Sequence, residues 1–142
     1  GGIGETEDAL AVAAWAATLM PDLPMYIGGF SFGSMISLRA CEALPSAALI
    51  TVAPPIARIS AEISQPICPW LVIQGDADDI VSPAEVAAWV KSLEPGPELK
   101  IMIGAEHFFH GRLSELRNIV TEFLDRHPYD RPCYLDADRI DA

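Results

Sequence analysis

The sequence predicts an α/β fold: a three-layer sandwich in which one parallel sheet of about four strands lies between layers of helices. Four short apolar runs predict the strands, at 25–30, 47–52, 70–73 and 99–103, and most connections between them have helical composition. Strands buried on both faces of a parallel sheet are apolar throughout, whereas strands with one face in water alternate apolar and polar residues. Because parallel strands need crossover connections, this pattern indicates helices on both faces of the sheet.

Helices are predicted over 5–20, 34–44, 83–93 and 113–124. The first is rich in alanine, leucine and tryptophan, has acidic residues in its first turn and ends before Pro21, so we expect a buried helix. Pro83 suits the first turn of the third helix, and the fourth has the period of an amphipathic helix. After His127 the sequence is polar, and we expect a poorly ordered tail.

Length and charge restrict the domain number and the partners. The 142 residues are 51% hydrophobic, which provides for one compact core and leaves no room for a second domain. A net charge of −11 opposes binding to phosphate backbones and to anionic lipids, so neither nucleic acid nor a membrane surface is an expected partner. No apolar run reaches the length of a membrane span.

The cysteines indicate the redox compartment. Cys41, Cys68 and Cys133 are odd in number, widely spaced and without a C-x-x-C pair. This arrangement fits neither a disulfide framework nor a zinc site, and it is typical of thiols in a reducing, cytoplasmic compartment. We expect neither a cofactor nor a metal.

Residues 29–33, Gly-Phe-Ser-Phe-Gly, have the pattern G-x-S-x-G directly after a predicted strand and at the entry to a predicted helix. There a strained turn projects the hydroxyl of Ser31, and the helix N-terminus offers backbone N–H groups to an oxyanion. We expect both glycines to prevent a clash between helix and strand, so Gly33→Val should crowd the turn. The alternative is a chance match in a glycine-rich loop, which the strand-to-helix placement disfavours.

Carboxylates follow the third predicted strand. Asp76, Asp78 and Asp79 come after Gly75, at the carboxyl end of that strand, where one of them can orient a histidine. A solvated acidic loop is one alternative. A D-x-D phosphoryl-transfer site is another, but it requires its first aspartate directly after the strand. A calcium loop would need glycine at the position of Val81.

A histidine-containing segment, with His107 and His110, follows the fourth predicted strand. A lone histidine is more often structural than catalytic. Here, however, a serine, an aspartate and a histidine fall at the carboxyl ends of three predicted parallel strands, where such sheets place their functional residues. The chain order Ser, Asp, His is that of α/β-hydrolases and differs from the chymotrypsin and subtilisin orders.

Over residues 4–124 the sequence resembles the α/β-hydrolase superfamily, most closely its small, lidless bacterial branch of serine esterase-like proteins akin to dienelactone hydrolases. The resemblance rests on G-x-S-x-G at 29–33, G-x-x-D-x-x-V at 75–81 and G-A-x-H-F at 104–108. It implies that Ser31 is the nucleophile, Asp78 the acid and His107 the base, with the Phe32 backbone N–H as an oxyanion donor. Dienelactone hydrolases carry a cysteine nucleophile, so their lactone substrate is not carried over.

The resemblance also implies that residues 1–126 form a partial core, the C-terminal half of the fold, with a polar tail at 127–142. Family members place further strands, and a glycine-containing loop with a second oxyanion donor, before the nucleophile strand. We therefore expect the chain to be part of a longer protein. Its first strand should lie at an open sheet edge through which copies could associate.

The expected activity is two-step acyl transfer on a small ester, since there is no room for a cap domain between Ser31 and Asp78. An acyltransferase or a cofactor-free haloperoxidase could use the same three residues, and a catalytically silent binding module or fragment is a further alternative. Five apolar side chains are expected near the site unless they pack in the core: Phe30, Phe32, Met35, Phe108 and Phe109.

Overall fold

The computed structural model describes residues 1–59 and 64–129, and it confirms the α/β sandwich and the parallel sheet. Four strands pair in chain order: β1 (Tyr26–Phe30), β2 (Ala48–Val52), β3 (Trp70–Gly75) and β4 (Glu98–Met102). The helices are α1 (Ile3–Leu19), α2 (Phe32–Cys41), α3 (Pro83–Ser92) and α4 (Leu113–Arg126), with a 3₁₀ turn at Ile56–Arg58.

The central strands are buried on both faces, as their composition predicts. All six residues of β3 and four of the five in β2 are buried. The register pairs Phe30 with Val52 and Val52 with Ile73, and Gly75 pairs with Met102. The carboxyl ends of the four strands therefore meet along one edge of the sheet.

Two apolar clusters, one on each face of the sheet, make the three layers. One joins Leu71 and Ile73 to Met102 and to Phe123 of α4. The other joins Leu49 and Val72 to Leu38 of α2 and to Val86 and Val90 of α3. Strands β2 and β3 both contribute to the two clusters, so they form the centre of the core.

Helix α1 is not the buried helix that its composition predicts. None of its residues is buried, and Val12 and Trp15 are 61% and 63% exposed. Its apolar residues are distributed around the helix, so packing one side against α2 leaves the others uncovered by the residues that the structure describes. Alanine-rich composition predicted the helix correctly but not what covers it.

Strand β1 lies at an edge of the sheet, as expected. Among the described residues it pairs only with β2, and its exposure alternates along the strand, with Tyr26 and Phe30 each 42% exposed. No charged residue or proline interrupts it.

Cys133 and the tail from 130 onward lie outside the described residues. Among the described helices, none is long and apolar enough to cross a membrane.

We expect the 142-residue chain by itself to self-associate, because the edge of β1 and the apolar surface of α1 lie side by side. Light scattering and binding of a dye for apolar surfaces would measure this. The matched variant Trp15→Lys should reduce dye binding, since it places a charge on that surface without touching the core. A chain that stays monomeric and binds no dye would contradict the expectation.

Candidate active site

Ser31 occupies the turn between β1 and α2 in a backbone conformation that few residues adopt. Its φ of 50° and ψ of −118° lie outside the regions that L-residues favour. The turn is fixed by the Ser31 N–H, which donates to the Val52 carbonyl at 2.8 Å. Helix α2 begins at the next residue, Phe32, whose N–H belongs to the first turn and so has no partner within the helix.

The two glycines of the motif have different surroundings, which corrects the expectation for Gly33. A Cβ atom on Gly29 would clash with the Gly33 carbonyl group and lie 2.6 Å from the Ser34 nitrogen. A Cβ atom on Gly33 would meet no described atom within 4 Å. Only Gly29 is therefore required by the close approach of strand and helix, because α2 leaves the turn with the Cβ position of Gly33 facing open space.

Ser34 anchors the turn to the neighbouring strand. Its hydroxyl oxygen lies 2.7 Å from the Gly29 carbonyl and 2.8 Å from the Val52 carbonyl, and it accepts from the Val52 N–H at 3.1 Å. The side chain is fully buried. Sequence reasoning missed this residue, although a serine among the buried apolar residues of α2 is a signal that it bonds to backbone.

The Asp78 carboxylate is held by hydrogen bonds on both oxygens. Oδ1 accepts from the Ile80 and Val81 N–H groups at 2.9 and 2.8 Å, and Oδ2 accepts from the Gln74 amide at 3.0 Å. Burial raises the pKa of Asp78, but the bonds from Val81, His107, Ile80 and Gln74 outweigh it and lower the pKa below its ordinary value. Asp78 is therefore a charged, acceptor-only group at neutral pH.

His107 connects this carboxylate to the serine. Its Nδ1 lies 2.8 Å from Asp78 Oδ2, and its Nε2 lies 3.1 Å from Ser31 Oγ. Because a carboxylate only accepts, Nδ1 carries the proton, which leaves Nε2 as an acceptor for the serine hydroxyl. The expected hydrogen bonds are thus present, and we call Ser31, His107 and Asp78 the relay.

Side-chain hydrogen bonds to the backbone hold the loop that carries His107 in place. The Arg112 guanidinium donates to the Ile103 carbonyl at 2.9 Å, and the Glu106 carboxylate accepts from the backbone N–H groups of Phe108 and His110. Phe109 is buried in the apolar cluster beneath. Neither arginine nor glutamate was singled out by sequence reasoning, since neither belongs to a recognised pattern.

The other candidate groups lie away from the relay. Asp76 accepts from the Gly104 N–H, Asp79 is exposed, and His110 pairs with Glu106 at the surface. Across residues 1–59 and 64–129, no three His, Cys, Asp or Glu side chains come together as a metal site would require.

The five apolar side chains divide between the site and the core. Met35 and Phe109 are buried, whereas Phe30, Phe32 and Phe108 are partly exposed. The rings of Phe30 and Phe108 each lie 5.0 Å from the His107 ring, measured between centroids. The imidazole is therefore enclosed by two aromatic side chains that also face solvent.

We expect Gly29→Ala to destabilise the fold strongly, and Gly33→Ala, its matched control, to change stability little. The clash at Gly29 involves backbone that cannot move without disturbing the Ser31 turn, and overpacking of this kind costs roughly 1–3 kcal/mol or more. Urea denaturation of both variants measures the difference. Equal losses of stability would contradict the geometry of the turn.

Comparisons with known proteins identify similar chains. No family model matches the sequence. The structure superposes on a serine hydrolase without lid from Xanthomonas campestris, with a TM-score of 0.83 and 43% identity over 88% of this chain. An α/β serine hydrolase homologue from Coxiella burnetii gives 0.82 and 40% over 87%. An uncharacterised protein of Rickettsia prowazekii is 31% identical over 87% of this chain.

The chain spans only part of each of these proteins. It covers 57% of the Xanthomonas chain, 60% of the Coxiella chain and 56% of the Rickettsia protein. A more distant structure, Est1E from Butyrivibrio proteoclasticus, shares the fold at 19% identity and a TM-score of 0.73.

Proposed function

We propose that this chain, which resembles lidless α/β serine hydrolases in sequence and structure, hydrolyses small carboxylic esters through an acyl-enzyme on Ser31. The observation that carries the proposal is the unbroken hydrogen-bond chain from Ser31 Oγ through His107 to Asp78. A structural role alone does not require a strained serine aligned with an imidazole and a charged carboxylate.

The proton moves in two stages. His107 Nε2 accepts the Ser31 proton as Oγ attacks the ester carbonyl, and the same nitrogen then protonates the departing alcohol. Water repeats the cycle on the acyl-enzyme and releases the acid. Asp78 stabilises the imidazolium through Nδ1 and remains ionised, in keeping with its lowered pKa.

The Phe32 N–H is the donor we propose for the oxyanion. It follows the nucleophile at the first position of α2, where the helix dipole favours negative charge. A tetrahedral intermediate on Ser31 would place its oxygen near this group. The contribution of one such donor is about 3 kcal/mol of transition-state stabilisation.

The surroundings favour a small substrate with an apolar group. Phe30 and Phe108 enclose the imidazole on two sides, and the Ser31 hydroxyl that would attack the ester is hydrogen-bonded to that imidazole. A short acyl chain could pack on these rings while the rest of the ester remains in solvent.

Ser31→Ala, made in the complete reading frame, should lower hydrolysis of a short-chain nitrophenyl ester by at least about a thousandfold and leave the melting temperature nearly unchanged. The exposed control Ser114→Ala should keep both. Fluorophosphonate labelling, read by peptide mass spectrometry, should modify Ser31 in the parent. Near-parental turnover in Ser31→Ala would exclude this serine as the nucleophile.

Asp78→Asn tests the orienting role of the carboxylate. An amide can donate to Nδ1 and favour the tautomer whose Nε2 carries the proton, which cannot accept from Ser31, so kcat should fall by about 10⁴-fold. Exposed Asp79→Asn is the matched control and should retain activity. Steady-state kinetics decide the assignment, and equal effects of the two variants would refute it.

A further inference from the structure

Two cysteines meet at the sheet edge opposite the relay. Cys41 is the last residue of α2, and Cys68 lies two residues before β3, so both stand at the amino ends of the strands. Their Sγ atoms are 3.7 Å apart. Sequence spacing gave no sign of this pair, because 26 residues separate its members and only the parallel crossover brings them together.

The pair opens onto a cavity. A space of about 200 Å³ is lined by the end of α2, the turn that follows it and the segment 64–68. Cys41 is partly exposed and Cys68 is 7% exposed. The Glu42 carboxylate accepts from the Ser64 N–H at 2.7 Å and holds this segment against the helix end. A small, uncharged oxidant can therefore reach Cys41 while Cys68 remains sheltered behind it.

The surroundings of Cys41 favour the thiolate form of its side chain. The hydrogen bond between Cys41 and Cys68 is the largest cause that lowers the pKa of Cys41 to about 7. Burial and the Glu42 carboxylate oppose this shift, and a hydrogen bond with Ser46 adds to it. The lowered pKa increases the share of Cys41 side chains that are thiolate at neutral pH. The thiolate is the form that attacks peroxides.

We propose that Cys41 and Cys68 form a site of reversible oxidation by small hydroperoxides. The Cys41 thiolate attacks the terminal peroxide oxygen, so that an S–O bond forms and the O–O bond breaks; the departing hydroxide or alkoxide takes up the proton lost by the Cys41 thiol and leaves as water or an alcohol. The Cys68 sulfur then attacks the sulfur of the Cys41 sulfenic acid, the S–O bond breaks, and the hydroxyl group leaves as water with the Cys68 proton as the disulfide forms. Overall, two thiols lose two hydrogens and one peroxide is reduced.

The two sulfur atoms already lie in contact with each other. The sulfur atoms must approach by about 1.7 Å to reach disulfide length. Both cysteines stand at the ends of elements, where the backbone can adjust without breaking a strand. The disulfide would fasten the end of the helix that follows Ser31 to the start of the strand that precedes Asp78, so the two elements that carry the relay would be linked covalently.

The test uses the protein from the complete reading frame, fully reduced and then treated with equimolar hydrogen peroxide. Remaining thiols are blocked, and peptides are mapped by mass spectrometry. We expect a disulfide between the Cys41 and Cys68 peptides, reversed by dithiothreitol, and a rise of several degrees in melting temperature. The control Cys133→Ser should form it equally, whereas Cys68→Ser should leave a sulfenic acid on Cys41 that dimedone traps.

Three results would overturn the proposal. One is a disulfide that joins either cysteine to Cys133 or to another molecule. Another is accumulation of sulfinic acid on Cys41 while Cys68 stays a thiol. The third is survival of both thiols at a peroxide concentration that oxidises half of a glutathione standard. Ester hydrolysis is not part of the readout, so the outcome is independent of the function proposed for Ser31.

Discussion

The parallel hydrogen-bonded register of the four strands determines which residues meet at the carboxyl ends of the strands and which meet at their amino ends. It sets Phe30 beside Val52, Val52 beside Ile73 and Gly75 beside Met102. Three chain segments far apart in sequence therefore leave the sheet at neighbouring points. The order of the strands in the sheet therefore places Ser31, Asp78 and His107 close enough to form hydrogen bonds with one another.

Within the site, two features are unfavourable by themselves: the buried charge of Asp78 and the strained backbone of the Ser31 turn. A buried carboxylate is unfavourable unless its oxygens are satisfied, and four donors meet the two oxygens of Asp78. The strained Ser31 backbone is likewise held at both ends, since its N–H donates to the Val52 carbonyl and its carbonyl accepts from the Ser34 N–H. In both cases neighbouring polar groups stabilise a conformation or charge that would not persist alone.

Much of this could be predicted from the sequence because apolar runs and glycine-bounded turns are local signals. The fold class and the four strands follow from such signals, and the resemblance to α/β-hydrolases singled out Asp78 and His107 among neighbouring carboxylates and histidines, while their catalytic roles stay predictions. The different surroundings of Gly29 and Gly33 could not be predicted, because the direction in which α2 leaves the turn decides which Cβ would clash. Nor could the exposure of α1, since composition does not indicate what packs against a helix.

The same crossover that assembles the relay also assembles the thiol pair. Helix α2 starts beside Ser31 at the carboxyl edge of the sheet and ends at Cys41 on the amino edge. Strand β3 runs the opposite course, from just beyond Cys68 to the turn before Asp78. A helix and a strand packed antiparallel must bring two pairs of termini together, one at each edge. The relay at the carboxyl edge of the sheet and the cysteine pair at the amino edge are therefore connected by the same helix and the same strand.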